Sequence, residues 1–165
     1  MVSNITILSS SPKETQQVGR AIGQVAQPGD ICLLIGPLGA GKTCLTQGIA
    51  QGLEVDGYVR SPTFVLTAQY RGRMTLHHLD LYRIGGAAEA WDLGLDEQLF
   101  GDGLSVVEWA DRTPELFPPD CLSITLDHAG GEDQRTIKFL DAPAHYLEVL
   151  RGLAKSLPAA TEVSS

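Results

Sequence analysis

GPLGAGKT, residues 36–43, is the stretch on which the reading of this chain turns. Glycine, four residues, then Gly-Lys-Thr is the pattern of a phosphate-binding loop, and its flanks decide whether it is one. Before it runs ICLLI, residues 31–35, apolar and rich in β-formers. After it, CLTQGIAQGL repeats Leu45, Ile49 and Leu53 at every fourth position, which puts them on one helix face. The glycines therefore stand at a strand-to-helix turn. Gly36, Gly39 and Gly41 open backbone angles barred to other residues, so several N–H groups can converge on one anion. A helix beginning near Lys42 adds its positive end. The stretch Gly36, Leu38, Gly39, Ala40, Gly41, Lys42, Thr43 and Cys44 is expected to surround nucleotide phosphates. Lys42 would reach the outer oxygens and the Thr43 hydroxyl would serve Mg²⁺.

Outward from the loop, the chain reads as α/β. Residues 4–9 form a short strand. SPKE, residues 11–14, is a capping box with proline at the first helical position, and the following helix sets Val18, Ala21, Ile22, Val25 and Ala26 on one face. TFVLTAQY, residues 63–70, and MTLHHLDLYRI, residues 74–84, read as a hairpin across the turn RGR. Residues 87–100 read as a helix weakened by Gly94. LSVVEW, residues 104–109, is a buried strand, and CLSITLD and RTIKFL pair around HAGGED. A closing helix spans 144–156. Hairpins beside a strand–helix unit predict a single P-loop NTPase-like domain over residues 1–157, its mixed, partly antiparallel sheet flanked by helices. The small, polar end, residues 158–165, is expected to be disordered.

Composition narrows the function. The chain has 165 residues, 43% of them hydrophobic, enough for an ordinary core. Its 20 acidic and 12 basic side chains give a formal charge of −8, which disfavours non-specific nucleic-acid binding, since phosphate contacts need a basic patch. Cys32, Cys44 and Cys121 lack metal-ligand spacing and are odd in number, as fits a reducing cytoplasmic setting. ITIL near the start is too short for a signal core or a membrane span.

A phosphate loop needs a carboxylate to position Mg²⁺ or water. Asp80, in LHHLDLYR, and Glu108, in LSVVEW, both end apolar runs, where an unpaired charge is costly. Trp109 follows Glu108 and could lie against adenine, whereas Trp91 spaces with Ala88 and Leu95 and reads as a core tryptophan. SPT, residues 61–63, occupies the place of a γ-phosphate-sensing switch, or simply turns the chain into a strand. Three signals are set aside. DHAG, residues 127–130, matches a GTPase motif but lies in a late hairpin turn, with no Asn-Lys-x-Asp after it. His77 and His78 point to opposite faces of a strand. His78 and Asp80 share a face, but two ligands make no structural zinc site.

The order GPLGAGKT, SPTF, HLDLYR, VVEW resembles the TsaE (YjeE) family over roughly residues 11–140. The loop alone is unspecific; the four motifs in order are not. The resemblance implies a bacterial ATPase needed for threonylcarbamoyladenosine in tRNA. Such a protein would use ATP and Mg²⁺, dock on a TsaB–TsaD pair and keep it cycling, while TsaD handles the tRNA and TsaC makes the donor. It further implies Lys42, Asp80 and Glu108 as catalytic, Thr43 and Glu108 on the metal, Trp109 beside adenine, Ser61 and Thr63 in the switch, and Ser11 near the nucleotide. Arg83 and Arg135 sit in family-like places. Pro37 departs from the family's usual aspartate and removes one N–H. Two other classes fit less well. A small-molecule kinase lacks a recognisable acceptor lid, and a non-hydrolysing adaptor has less need of Asp80 and Glu108.

Overall fold

The computed structural model describes residues 4–57, 59–60, 67–94, 99 and 101–157. Ser61, Thr63 and residues 158–165 lie outside them. The run ICLLI forms β2 (Ile31–Ile35), the middle strand of a seven-stranded sheet. Around it stand β1 (Ile5–Ser9), β3 (Thr67–Arg71), β4 (Thr75–Asp80), β5 (Leu104–Glu108), β6 (Leu122–His128) and β7 (Arg135–Leu140), in the order β1-β7-β6-β2-β5-β4-β3. The pairs β2–β5, β2–β6 and β4–β5 are parallel; β1–β7, β6–β7 and β3–β4 are antiparallel. The mixed sheet is the predicted one. Four adjacent parallel strands, β6, β2, β5 and β4, thus end together beside the phosphate loop.

Alternation along these strands builds two cores. Cys32, Leu34, Leu76 and Val106 face α1 (Pro12–Val25), α2 (Lys42–Gly52) and the closing helix α4 (Ala144–Ser156). Ile31, Leu79 and Val107 face the other way, onto Leu81, Ile84, Ala90 and Leu116. Helix α1 starts as its sequence dictates: the Glu14 N–H donates to Ser11 Oγ at 3.1 Å, and Glu14 Oε1 accepts from the Ser10 N–H at 3.2 Å. No helix among the described residues is long and apolar enough to cross a membrane.

Helices α1 and α2 cross almost backbone to backbone. A Cβ on Gly19 would stand 2.3 Å from the Leu45 carbonyl, and one on Gly48 would stand 2.2 Å from the Gln16 carbonyl. Gly23 and Gly52 are equally tight, so GRAIG and GIAQG interlock. The β3–β4 turn then closes over both helix ends. Arg73 Nη2 donates to the carbonyls of Gly23 (2.6 Å), Gln24 (3.2 Å) and Ala26 (2.9 Å), and its N–H donates to Leu53 O at 2.7 Å. A guanidinium there supplies partners for carbonyls that a helix C-terminus leaves unpaired.

Three expectations need correcting. The strand expected through residue 84 ends at Asp80, because Asp80 Oδ1 accepts the Tyr82 N–H at 2.9 Å and turns the chain. The helix expected over 87–100 is interrupted: α3 covers Ala87–Asp92, then Leu93 and Gly94 turn, with Gly94 at φ +73°. Trp91 is not a core residue but 52% exposed, whereas its neighbour Ala90 is buried.

Candidate functional site

The loop residues do what their positions require. Gly39 (φ +79°) and Gly41 (φ +101°) take left-handed angles. Gly36 does not: it is glycine because a Cβ would stand 2.3 Å from the Leu126 carbonyl of β6. Gly41 caps α2, whose first residue is Lys42. The Lys42 ammonium donates to the carbonyls of Gly36 (2.5 Å) and Pro37 (3.1 Å) and lies 3.8 Å from the centroid of the Trp109 ring. Pro37, though it lacks an N–H, therefore keeps a working carbonyl, which also accepts from the Ala40 N–H at 3.2 Å. Burial pulls the Lys42 ammonium below its ordinary value, and the carboxylates of Glu108, Asp80 and Asp111 oppose that shift.

The two acids arrive on neighbouring parallel strands. Asp80 and Glu108 are register partners at the ends of β4 and β5, and Glu108 is also paired with Leu34 of β2. Register partners share a sheet face, here the one toward α2. Asp80 is 6% exposed and Glu108 3%, so two carboxylates are buried beside a lysine. Glu108 Oε2 meets His78 Nε2 at 2.6 Å, and His78 is fully buried. Trp109 adopts φ +60°, ψ +38°, rare for a bulky side chain. It is held there by its N–H on Leu34 O (3.2 Å), by Lys42, and by Tyr82, whose ring centroid is 4.9 Å away. Strain of this kind persists only where the surroundings fix it, and it gathers at functional sites.

These groups wall one cavity of about 490 Å³, lined by Leu38, Gly39, Ala40, Gly41, Lys42, Thr43, Cys44, Asp80, Tyr82, Arg83, Glu108 and Trp109. The sequence-predicted residues Leu38 to Cys44, the two acids and Trp109 thus come together, while Gly36 lies outside the lining. Ser11 lies outside this lining and caps α1. Four residues at or beside the site went unassigned in the sequence. Tyr82 and Arg83 follow from the turn that Asp80 imposes. His78 was set aside as a metal ligand, yet it stands two residues before Asp80 on the same face and meets Glu108. Arg135 Nη2 donates to Gly39 O at 3.3 Å. The set-aside DHAG lies in the β6–β7 hairpin region as read, but His128 sits beside Gly39, its ring 3.9 Å from where a Cβ there would be.

Among the described residues no group of three or more His, Cys, Asp and Glu side chains forms a metal cage. The Thr43 hydroxyl and the carboxylates of Asp80 and Glu108 are hard oxygen donors on one cavity. That set fits Mg²⁺, which is bound through one or two carboxylates, its own waters and substrate phosphates.

The family model for TsaE, threonylcarbamoyl adenosine biosynthesis protein TsaE, matches residues 9–137. The chain is 42% identical over 130 residues to the Bacillus subtilis tRNA threonylcarbamoyladenosine biosynthesis protein TsaE, covering 78% of this chain and 80% of that one. It is 38% identical over 119 residues to the Treponema pallidum protein of the same name, covering 72% and 88%. The crystal structure of Bacillus subtilis YdiB superposes with a TM-score of 0.77 at 34% identity, covering 94% of this chain and 97% of that one.

Proposed function

The chain belongs to the TsaE family, and from that premise we propose that it is a Mg²⁺-dependent ATPase that serves threonylcarbamoyladenosine formation in tRNA by docking on a TsaB–TsaD pair and driving its cycling. The observation that carries the proposal is the convergence of Lys42, Thr43, Asp80 and Glu108 on one cavity at the ends of β2, β4 and β5.

The chain's own residues divide the work. The loop N–H groups and the α2 N-terminus bind the phosphates. Lys42 would exchange the carbonyls of Gly36 and Pro37 for phosphate oxygens. The Trp109 ring and Tyr82 wall the nucleotide and keep water from Lys42. Thr43 and Glu108 would hold Mg²⁺, and Asp80 would orient the attacking water or the metal's water shell. When bound, Mg²⁺ offsets the charge that develops between the β- and γ-phosphates. The part that tRNA plays is indirect, through the partners, in keeping with the charge of −8.

Substituting Glu108→Ala separates hydrolysis from a purely nucleotide-gated adaptor. An ATPase loses turnover and support of the partner pair together. Support that persists without turnover would make the chain an adaptor.

A further inference from the structure

We propose that His78 is a positioning residue for Glu108: it pins one carboxylate oxygen, so that the acid is presented to the cavity in a single orientation. The inference rests on the reading of Glu108 as the metal-side carboxylate.

Position 78 lies inside a buried strand. Leu76 and Leu79 on β4 and Val106, its register partner on β5, are all fully buried. An aliphatic side chain would suit that place, and an imidazole there is costly unless it is bonded. His78 Nδ1 has no hydrogen-bond partner among the described residues. The bond that offsets its burial is therefore Nε2 to Glu108 Oε2, at 2.6 Å. A carboxylate oxygen accepts, so Nε2 carries the hydrogen.

The geometry explains why Glu108 needs the help. A glutamate side chain has three rotatable bonds, and Glu108 stands beside the Lys42 ammonium, whose attraction would draw it toward the loop. Packing cannot fix the orientation of a planar carboxylate, but a directional hydrogen bond from the neighbouring strand can. The strands themselves hold the distance, since His78 and Glu108 lie diagonally across the β4–β5 ladder on one face. Partners of this kind behind a metal-binding carboxylate typically change metal affinity about 10–100-fold when removed.

The test is calorimetric titration of a non-hydrolysable ATP analogue at graded Mg²⁺, on the full chain and on His78→Leu, His78→Gln, His78→Asn and Glu108→Ala. The result read is the Mg²⁺ concentration that gives half of the metal's gain in nucleotide affinity. His78→Leu is expected to raise it about 10–100-fold. The glutamine amide reaches Glu108 and should restore most of the loss, whereas the shorter asparagine should not. If His78→Leu fails to fold, the Gln and Asn pair carries the test. A parent-like half-point in folded His78→Leu or His78→Asn overturns the proposal while Glu108→Ala still loses metal dependence. No Mg²⁺ effect in the parent, or none lost in Glu108→Ala, overturns the underlying reading instead.

Discussion

Gly48→Ala and Gly152→Ala make the same chemical change in the interiors of two helices, and the structure assigns them opposite signs. In a neutral setting Gly→Ala stabilises a helix by about 1 kcal/mol, because alanine loses less backbone entropy. At Gly152 of α4 nothing lies within 4 Å of the added Cβ, so that gain should appear in full. At Gly48 the added carbon would stand 2.2 Å from the Gln16 carbonyl oxygen and 2.8 Å from its carbonyl carbon and Cα. Those are backbone atoms of α1, and they cannot rotate away. Relief requires the two helices to part by roughly 1 Å, loosening the seam of Val18, Ile22, Leu45 and Ile49. Overpacking of this kind costs about 1–3 kcal/mol, and subtracting the propensity gain leaves a net loss of up to about 2 kcal/mol. For a domain of this size that is a fall in Tm of up to about 8 °C, against a rise of about 2–4 °C for Gly152→Ala. Because α2 begins at the phosphate loop, Gly48→Ala should also weaken nucleotide binding, which Gly152→Ala should leave alone. Urea denaturation followed by circular dichroism, with nucleotide titration alongside, reads both. If the two variants shift stability in the same direction, the close helix crossing is not what holds α2 in place.

Other outcomes follow from the same geometry. Arg73→Ala leaves three carbonyls at the end of α1 without their donor and should cost about 1–3 kcal/mol in urea denaturation; Arg73→Lys should recover part of the loss, since all three bonds come from one nitrogen and an ammonium carries three donors. Stability should also fall in alkali. Burial is the main cause holding the thiols of Cys32 and Cys121 and the Tyr146 phenol protonated, with nearby Asp30 adding to it for Cys32 and Cys121's own value pushed up to about 12. The unfolded chain releases these protons earlier. Their contribution is therefore complete below about pH 9 and is lost as pH rises toward the folded values, with a slope of about 1.4 kcal/mol per pH unit for each proton released on unfolding. Denaturation midpoints measured from pH 8 to 11 should fall, and fall less steeply in Tyr146→Phe.

The phosphate loop was legible because strand, glycines and helix each carry a local signal, and the loop lies wholly within 31–53. The sheet's mixture of directions followed from hairpins standing beside one strand–helix unit. Asp80 and Glu108 were found as charges ending apolar runs, but their pairing depends on β4–β5 register, which no local pattern contains. His78 was missed for the same reason: its partner lies thirty residues away on the next strand. GRAIG and GIAQG were passed over because a helical glycine reads as a weak helix position, and only the crossing shows what its missing Cβ is for. Trp91 misled because α3, Ala87–Asp92, is too short for spacing to fix a face. Ala90 took the buried position, and one residue further round the helix Trp91 points to solvent. Gly36 was read as a residue of unusual backbone angle; its true constraint is the carbonyl of Leu126, a residue far away in sequence.

The central claim, a partner-gated ATPase, is met most directly by measuring ATP turnover with Mg²⁺ for the purified chain alone and with TsaB and TsaD added. The account predicts slow turnover alone and a clear rise with the pair, both abolished by Glu108→Ala. Turnover that is equally fast with and without the pair would contradict it.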